Sequence, residues 1–244
     1  IGDGNFDIEV GVDPDYEALE MKVGSYINAE GKVVRDAADA VGIVFKMEAI
    51  GSDVPANYPV ALQGKTIAGY AVAIENVATG RQVLNNAAMS SLVTTDATVT
   101  NGTQATDALL TGIGEVAFMT TYNSWVNEHP LDGESLSSWY IPTVDQLGEF
   151  MGMLFKIGEV EPTGGQAFRE MPEFAFENGV MFDRDPIESV YYASCTVNGS
   201  KDISGVIINV DKTTKQVLDA KASSLKVTGS SQKALCRPMI TIFK

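Results

Sequence analysis

Two short, continuous apolar runs, Val41-Gly-Ile-Val-Phe45 and Ile67–Ile74 (IAGYAVAI), constrain the fold more than any other feature. They are too brief for helices of ordinary length and rich in β-branched residues, so each is expected to be a fully buried strand. Ahead of them, Lys22–Ile27 and Lys32–Val34 flank Asn28-Ala-Glu-Gly31, a hairpin connection ending in glycine. A Pro- and Gly-containing connection, Gly51–Gly64, separates the two runs. The chain returns to β at Ser189–Thr196, Gly205–Val210, Gln216–Ala220 and Ala234–Phe243, with Asp211-Lys-Thr-Thr214 as a hairpin turn.

Two helices are expected between these blocks. The first follows a Ser/Thr/Asn-rich loop, residues 85–103. Thr106 is placed as its cap, and Leu109, Ile113, Val116 and Ala117 recur at helical spacing. It continues through Tyr122 and Trp125 and stops before His129-Pro130, because proline disfavours helical geometry in the residue before it. The second begins at Thr143, with Gln146 completing a capping box and Val144, Leu147, Phe150, Met151 and Leu154 forming one apolar stripe. Its Gly148 and Gly152 suggest close packing against another element. Residues 159–187 are mixed, with a short helix expected around Gly165–Glu170. Residues 1–20 are acidic and read as a lead-in arm or the remnant of an upstream domain, with weak alternation at Phe6, Ile8 and Val10. Asp13-Pro14-Asp15 is a turn; a calcium loop there would need an Asp/Asn ladder, a central Gly and a final Glu. Neither a repeat nor a Pro/Gly-rich linker divides residues 21–244, which are expected to form one domain.

Charge narrows the partners. With 32 acidic against 17 basic side chains the formal net charge is −15. Nucleic-acid affinity comes largely from Lys and Arg displacing counterions, so phosphate backbones are disfavoured, as are anionic membrane headgroups. Neutral glycans, cations and basic protein surfaces remain. No apolar stretch approaches the ~18 residues of a membrane span, and no signal-peptide pattern opens the chain, so an export signal would already have been removed.

Chemistry is hard to place. His129 is the single histidine, it adjoins a proline at a helix end, and it reads as an ordinary helix-end residue. No G-x-S-x-G elbow, dinucleotide fingerprint or P-loop occurs. One His with two distant cysteines lacks the close-spaced ligand pairs usual at zinc sites. No cofactor, metal site or catalytic residue is assigned.

Three stretches in order carry a resemblance. Trp139-Tyr-Ile-Pro-Thr-Val-Asp-Gln-Leu147 is similar to the W-x-L-P-[ST]-x-x-E-[LF] motif of the DUF1566 or Lcl C-terminal family and its "major paralogous domain" relatives among bacterial surface proteins. Tyr191-Tyr-Ala-Ser-Cys195 takes the place of that family's Y-W-S-S-T strand, and Cys236-Arg-Pro-Met-Ile-Thr-Ile-Phe243 that of its closing V-R-P-V-x-A-F strand. Gln146, Tyr192 and Cys195 depart from the family's Glu, Trp and Thr.

The resemblance implies an α+β, C-type-lectin-like fold, distantly related to the sulfatase-modifying factors, with two helices packed on mixed, mainly antiparallel sheets. Within it Trp139, Pro142, Thr143, Gln146, Tyr191 and Arg237 have structural roles, Arg237 pairing with a buried carboxylate or with backbone carbonyls. The strands ending in Cys195 and Phe243 would lie side by side in one sheet. Cys195 and Cys236 would then be either a disulfide, closing a loop worth ~3–4 kcal/mol on the chain-entropy model, or two buried free thiols. The sulfatase-modifying activity is not implied, since its close cysteine pair is missing. Calcium-dependent sugar binding is not implied either: Glu161-Pro162-Thr163 lacks the amide ligand of the lectin motif.

Taken together these features lead to the expectation of an exported, non-enzymatic domain, secreted or lipid-anchored at the outer cell surface through a removed N-terminal segment. It would act as an adhesin or fimbria-like component recognising glycan or protein through residues 85–103 and 159–187. The rivals are a structural assembly module with other subunits as partners, and a polysaccharide hydrolase using two loop carboxylates. Tyr58, Tyr122 or Phe182 clustered on an open surface would point to sugar stacking.

Overall fold

The computed structural model describes residues 19–77, 101–113, 117–156, 180–184, 187–198, 202–211, 213, 217–226 and 235–244. Nine strands fall in two sheets. The first, in the order β2-β1-β3-β4-β9, is built from β1 (Tyr26–Ile27), β2 (Val33–Val34), β3 (Gly42–Lys46), β4 (Ile67–Ala73) and β9 (Met239–Phe243). The second runs β5-β6-β7-β8 through β5 (Val180–Arg184), β6 (Ile187–Asn198), β7 (Asp202–Asp211) and β8 (Val217–Lys226). Every strand pair is antiparallel. With the helices α1 (Val60–Gln63), α2 (Gly102–Ile113), α3 (Ala117–Glu128) and α4 (Val144–Lys156), the chain is α+β, as the alternation of patterns implies.

The first sheet is the middle layer of the molecule. Val44, Ala71, Ile240 and Ile242 face a core shared with Ala105 of α2 and Tyr122 and Trp125 of α3. Ile43, Phe45, Tyr70, Val72, Met239 and Phe243 face a second core with Leu62 of α1 and Leu147 and Phe150 of α4. A strand covered on both faces has no reason to alternate with polar residues, which explains the unbroken apolar runs of β3 and β4. The β1–β2 hairpin forms as expected. Asn28 Oδ1 accepts from the backbone N–H of Glu30 and Lys32, and Gly31 supplies the left-handed turn residue at φ +80°.

Several expectations are corrected. The first helix starts five residues early: Asn101 Oδ1 accepts from Thr103 N (2.6 Å) as the cap, while Thr106 Oγ1 accepts from Ile141 N in the neighbouring segment; the rest of α2 and all of α3 fall within the expected helix, and residues 114–116, Val116 among them, lie outside the described residues. Residues 102 and 103 of the presumed loop are therefore helical. A Cβ at Gly148 would meet nothing within 4 Å, so this glycine marks no close packing. β5 and the short α1 went unrecognised, having only five and four residues of mixed character. The stretches ending in Cys195 and Phe243 fall in separate sheets, β6 in the second and β9 in the first; among the described residues a parallel bridge joins Tyr192 of β6 to Leu235, ahead of β9. The turn at Asp13–Asp15, the helix at 165–170 and Glu161–Thr163 lie outside the described residues.

Candidate functional site

Several of the most deeply buried polar side chains, among them Asn101, Gln146 and Thr241, belong to a network that ends on Asp53, in the connection between β3 and β4. Its Oδ2 accepts from the phenols of Tyr58 and Tyr70, each at 2.6 Å. Its Oδ1 accepts from Asn101 Nδ2 (2.8 Å) and Asn57 Nδ2 (3.1 Å). Four donors on one carboxylate compensate for the water it loses by burial.

The polarity of the surrounding hydrogen bonds follows from that anchor. Tyr58 gives its one proton to Asp53, so its oxygen accepts from Thr241 Oγ1 at 2.7 Å. Thr241, having donated, accepts from Tyr140 Oη at 3.0 Å, and Tyr140 accepts from Gln146 Nε2 at 3.1 Å. The result is a one-directional chain, Gln146 to Tyr140 to Thr241 to Tyr58 to Asp53, in which each bond polarises the next. Burial is the main cause that holds the phenols of Tyr58, Tyr70 and Tyr140 well above the usual tyrosine range. They are fixed donors, not acids poised near neutrality.

Residues 139–146 tie this chain to every neighbouring layer. Thr143 and Gln146 form the expected reciprocal cap: Gln146 N donates to Thr143 Oγ1 (3.2 Å) and Thr143 N to Gln146 Oε1 (3.0 Å). Gln146 Oε1 also accepts from Gly102 N at the start of α2. Tyr140 and Met239 exchange backbone hydrogen bonds, which joins the segment to β9. The carbonyl of Pro142 accepts from Cys195 N (2.8 Å), and Val144 N donates to Thr196 Oγ1 (3.0 Å), which joins it to β6. Trp139 stacks edge-on against Trp125 and its indole N–H donates to the His129 carbonyl (2.8 Å). The stretches of residues 139–147, 191–195 and 236–243 thus meet, but at the seam between two sheets.

Of the other residues singled out from sequence, Tyr191, Arg237, Cys195 and Cys236 are buried and His129 is half-buried. Tyr191 lies in the first core. Arg237 Nη1 donates to the carbonyls of Ala73 (3.1 Å) and Ile74, the backbone alternative of the two expected for it. Cys195 and Cys236 are free thiols in the first core, not a bridge. Burial pushes the Cys195 thiol up to about 12 and raises that of Cys236 as well. Their thiolates, the reactive forms, are therefore suppressed. His129 caps the end of α3, with Nδ1 2.7 Å from the Trp125 carbonyl, its ring stacked on Trp125, and Nε2 against Glu75. Tyr58 and Tyr122 are buried in different cores and form no sugar-stacking surface; the Phe182 side chain lies outside the described residues.

A scan against protein-family models finds no match, and searches of curated proteins and of solved structures find none.

Among the described residues, no group of three or more His, Cys, Asp or Glu is placed to hold a metal ion, and no helix is long and apolar enough to cross a membrane. Sequence reasoning missed Asp53, Tyr70, Asn101 and Thr241. Two of these had a signal. Asn101-Gly-Thr is a good helix entry, and Thr241 alternates with Met239 and Phe243, so it shares their buried face. Asp53 sits in Gly51-Ser-Asp-Val-Pro55, where an aspartate reads as a turn residue and nothing local announces burial.

Proposed function

We propose that the chain is a non-catalytic binding domain of an exported surface protein, on a C-type-lectin-like plan, which recognises glycan or protein through residues 78–100. The observation that carries this reading is the anchoring of both ends of that segment. Val77 is buried and its N–H donates to the Cys236 carbonyl (3.0 Å). Asn101 is fully buried, holds Asp53 and caps α2. A Ser/Thr-rich stretch whose two ends are fixed on a packed body is well placed to carry recognition.

The body itself spends its polar groups on its own cohesion. Tyr58, Tyr70, Tyr140, Gln146 and Asp53 are satisfied by one another and buried away from a substrate. The convergence of the three family-like stretches at one seam supports the resemblance, while their division between two sheets counts against a close one. The test replaces residues 80–98 with a short Gly-Ser linker and compares both proteins on glycan and protein arrays. The expected result is a ligand bound by the parent and lost by the variant at unchanged melting temperature. A parent that binds nothing, or a variant that binds equally well, overturns the reading.

A further inference from the structure

The end of α3 and the end of β4 meet in a side-chain contact that depends on a proton. His129 follows the last residue of α3 and is half-buried. Its Nδ1 lies 2.7 Å from the Trp125 carbonyl. A carbonyl only accepts, so Nδ1 carries a hydrogen. Its Nε2 lies against Glu75 Oε1. On a neutral ring with Nδ1 protonated, Nε2 would turn a bare lone pair toward the lone pairs of a carboxylate. The contact is attractive only with a proton between the two atoms, and on the imidazole that proton makes the ring a cation.

Two further features suit a cation there. The ring stacks on Trp125, with centroids 4.2 Å apart and planes 16° from parallel, which sets the positive charge over an aromatic face. The ring also sits at the C-terminal end of α3, where the partial negative charge of the helix carbonyls collects. The other charged groups around it bond elsewhere or stand in water. On α3, Glu128 accepts from Ser124 Oγ at 3.5 Å. Past Pro130, Asp132 is exposed and its backbone N–H donates to the Ala29 carbonyl. On the sheet side, Arg237 Nη1 donates to the carbonyls of Ala73 and Ile74. The neighbouring Trp139, whose indole donates to the His129 carbonyl, is uncharged. Residues 74–77 are held to the sheet by backbone bonds, Ile74 N to the Val41 carbonyl (3.2 Å) and Val77 N to the Cys236 carbonyl (3.0 Å).

We infer that His129 and Glu75 form a pH-sensitive latch between the C-terminal end of α3 and residues 74–77, closed while the imidazole is protonated and open once it is neutral. Histidine side chains change charge between about pH 5 and 8, so the latch is closed at the acid end of that interval and opens toward the alkaline end. His129 is the single histidine of the chain, so no other imidazole can produce the effect. The inference rests on contacts among the described residues and is independent of the ligand-binding role of residues 78–100.

Amide exchange of Val77 in the full chain, corrected for the intrinsic pH dependence of exchange, tests it. Between about pH 5.5 and 8.5 the parent is expected to lose protection at this amide by about two- to fivefold, the modest effect of a partly exposed ion pair. His129→Phe keeps the stack on Trp125 but takes up no proton, and is expected to exchange at both pH values as the parent does at the higher one. Glu75→Gln is the discriminating variant. Its amide oxygen accepts from a protonated Nε2 and its amide nitrogen donates to a bare one, so it bridges both forms and Val77 exchange is expected to become independent of pH. In the parent, the imidazole 15N signals and the Glu75 carboxyl 13C signal are expected to move together over one pH interval, a readout that needs no variant to fold. Val77 exchange equal at both pH values in the parent, a pH dependence that persists in either variant, or independent movement of the two side-chain signals overturns the inference.

Discussion

The two sheets are built in opposite ways. The second is a meander, β5 to β8, in which each strand pairs with its neighbour in sequence across a connection of two to five residues; in the last of these Asp211 Oδ1 accepts from Thr213 N. The first brings together β4 and β9 and pairs Ile67 with Phe243, 176 positions apart (243 − 67) in a chain of 244. A meander closes small loops and needs little beyond its turns. A sheet closed by the last strand of the chain carries a larger loop-closure cost and needs something to hold that strand. Here β9 is held by backbone bonds to residues 135–140 and, through Thr241, by the hydrogen-bond chain that ends on Asp53. The contrast teaches that the polar core belongs to the non-local sheet.

Breaking that anchor has the largest expected effect. Asp53→Ala leaves three buried donors and the half-buried Asn57 amide without their acceptor and is expected to cost about 3–5 kcal/mol, read from the denaturation midpoint. A loss below about 1 kcal/mol would mean that the network is ornamental. In the meander the sharpest perturbation is steric. A Cβ on Gly205 of β7 would lie 2.2 Å from the Tyr192 carbonyl and 2.6 Å from the Tyr191 ring. Gly205→Ala is therefore expected to destabilise by about 2–3 kcal/mol.

Alkali acts on the seam through Cys195. Its thiol is raised in the folded protein, to about 12, so the folded state holds its proton longer than the unfolded state does. The associated stability is fully present below the unfolded value of about 8.5, and declines by up to about 1.4 kcal/mol per pH unit until about pH 12. Cys195→Ala is expected to flatten this part of the stability–pH curve, whatever it costs at neutral pH. The smallest effect is at the helix cap: Thr143→Ala is expected to cost about 1 kcal/mol, because Gln146 still occupies its reciprocal position.

The same contrast decides what was legible in the sequence. The β1–β2 hairpin, the turn at Asp211 and the Thr143–Gln146 cap are local, set by residues within a few positions of one another, and they could be read directly. So could the buried character of β3 and β4, since being covered on both faces leaves an unbroken apolar run. The start of α2 at Asn101 could not, because Thr106 offers an equally good local cap and its hydroxyl is taken by Ile141 N, 35 positions away. The partition of β6 and β9 into separate sheets depends on the Tyr192–Leu235 bridge and on Pro142 bonding Cys195, contacts between residues 43 and 53 positions apart. The site at Asp53 was hidden for the same reason. Its partners come from positions 57, 58, 70 and 101, and none of those residue types is unusual where it stands.

Residues 139–146 clamp the two sheets together, with Gln146 as the link between the Asp53 chain and α4. Residue-resolved amide exchange on Gln146→Leu tests it most directly, since that substitution keeps the bulk and removes the bonds to Tyr140, Gly102 and Thr143. Amides of β4, β9, β6 and β7 are all expected to lose protection by a similar factor. Loss confined to the first turn of α4, with both sheets exchanging as in the parent, would contradict it.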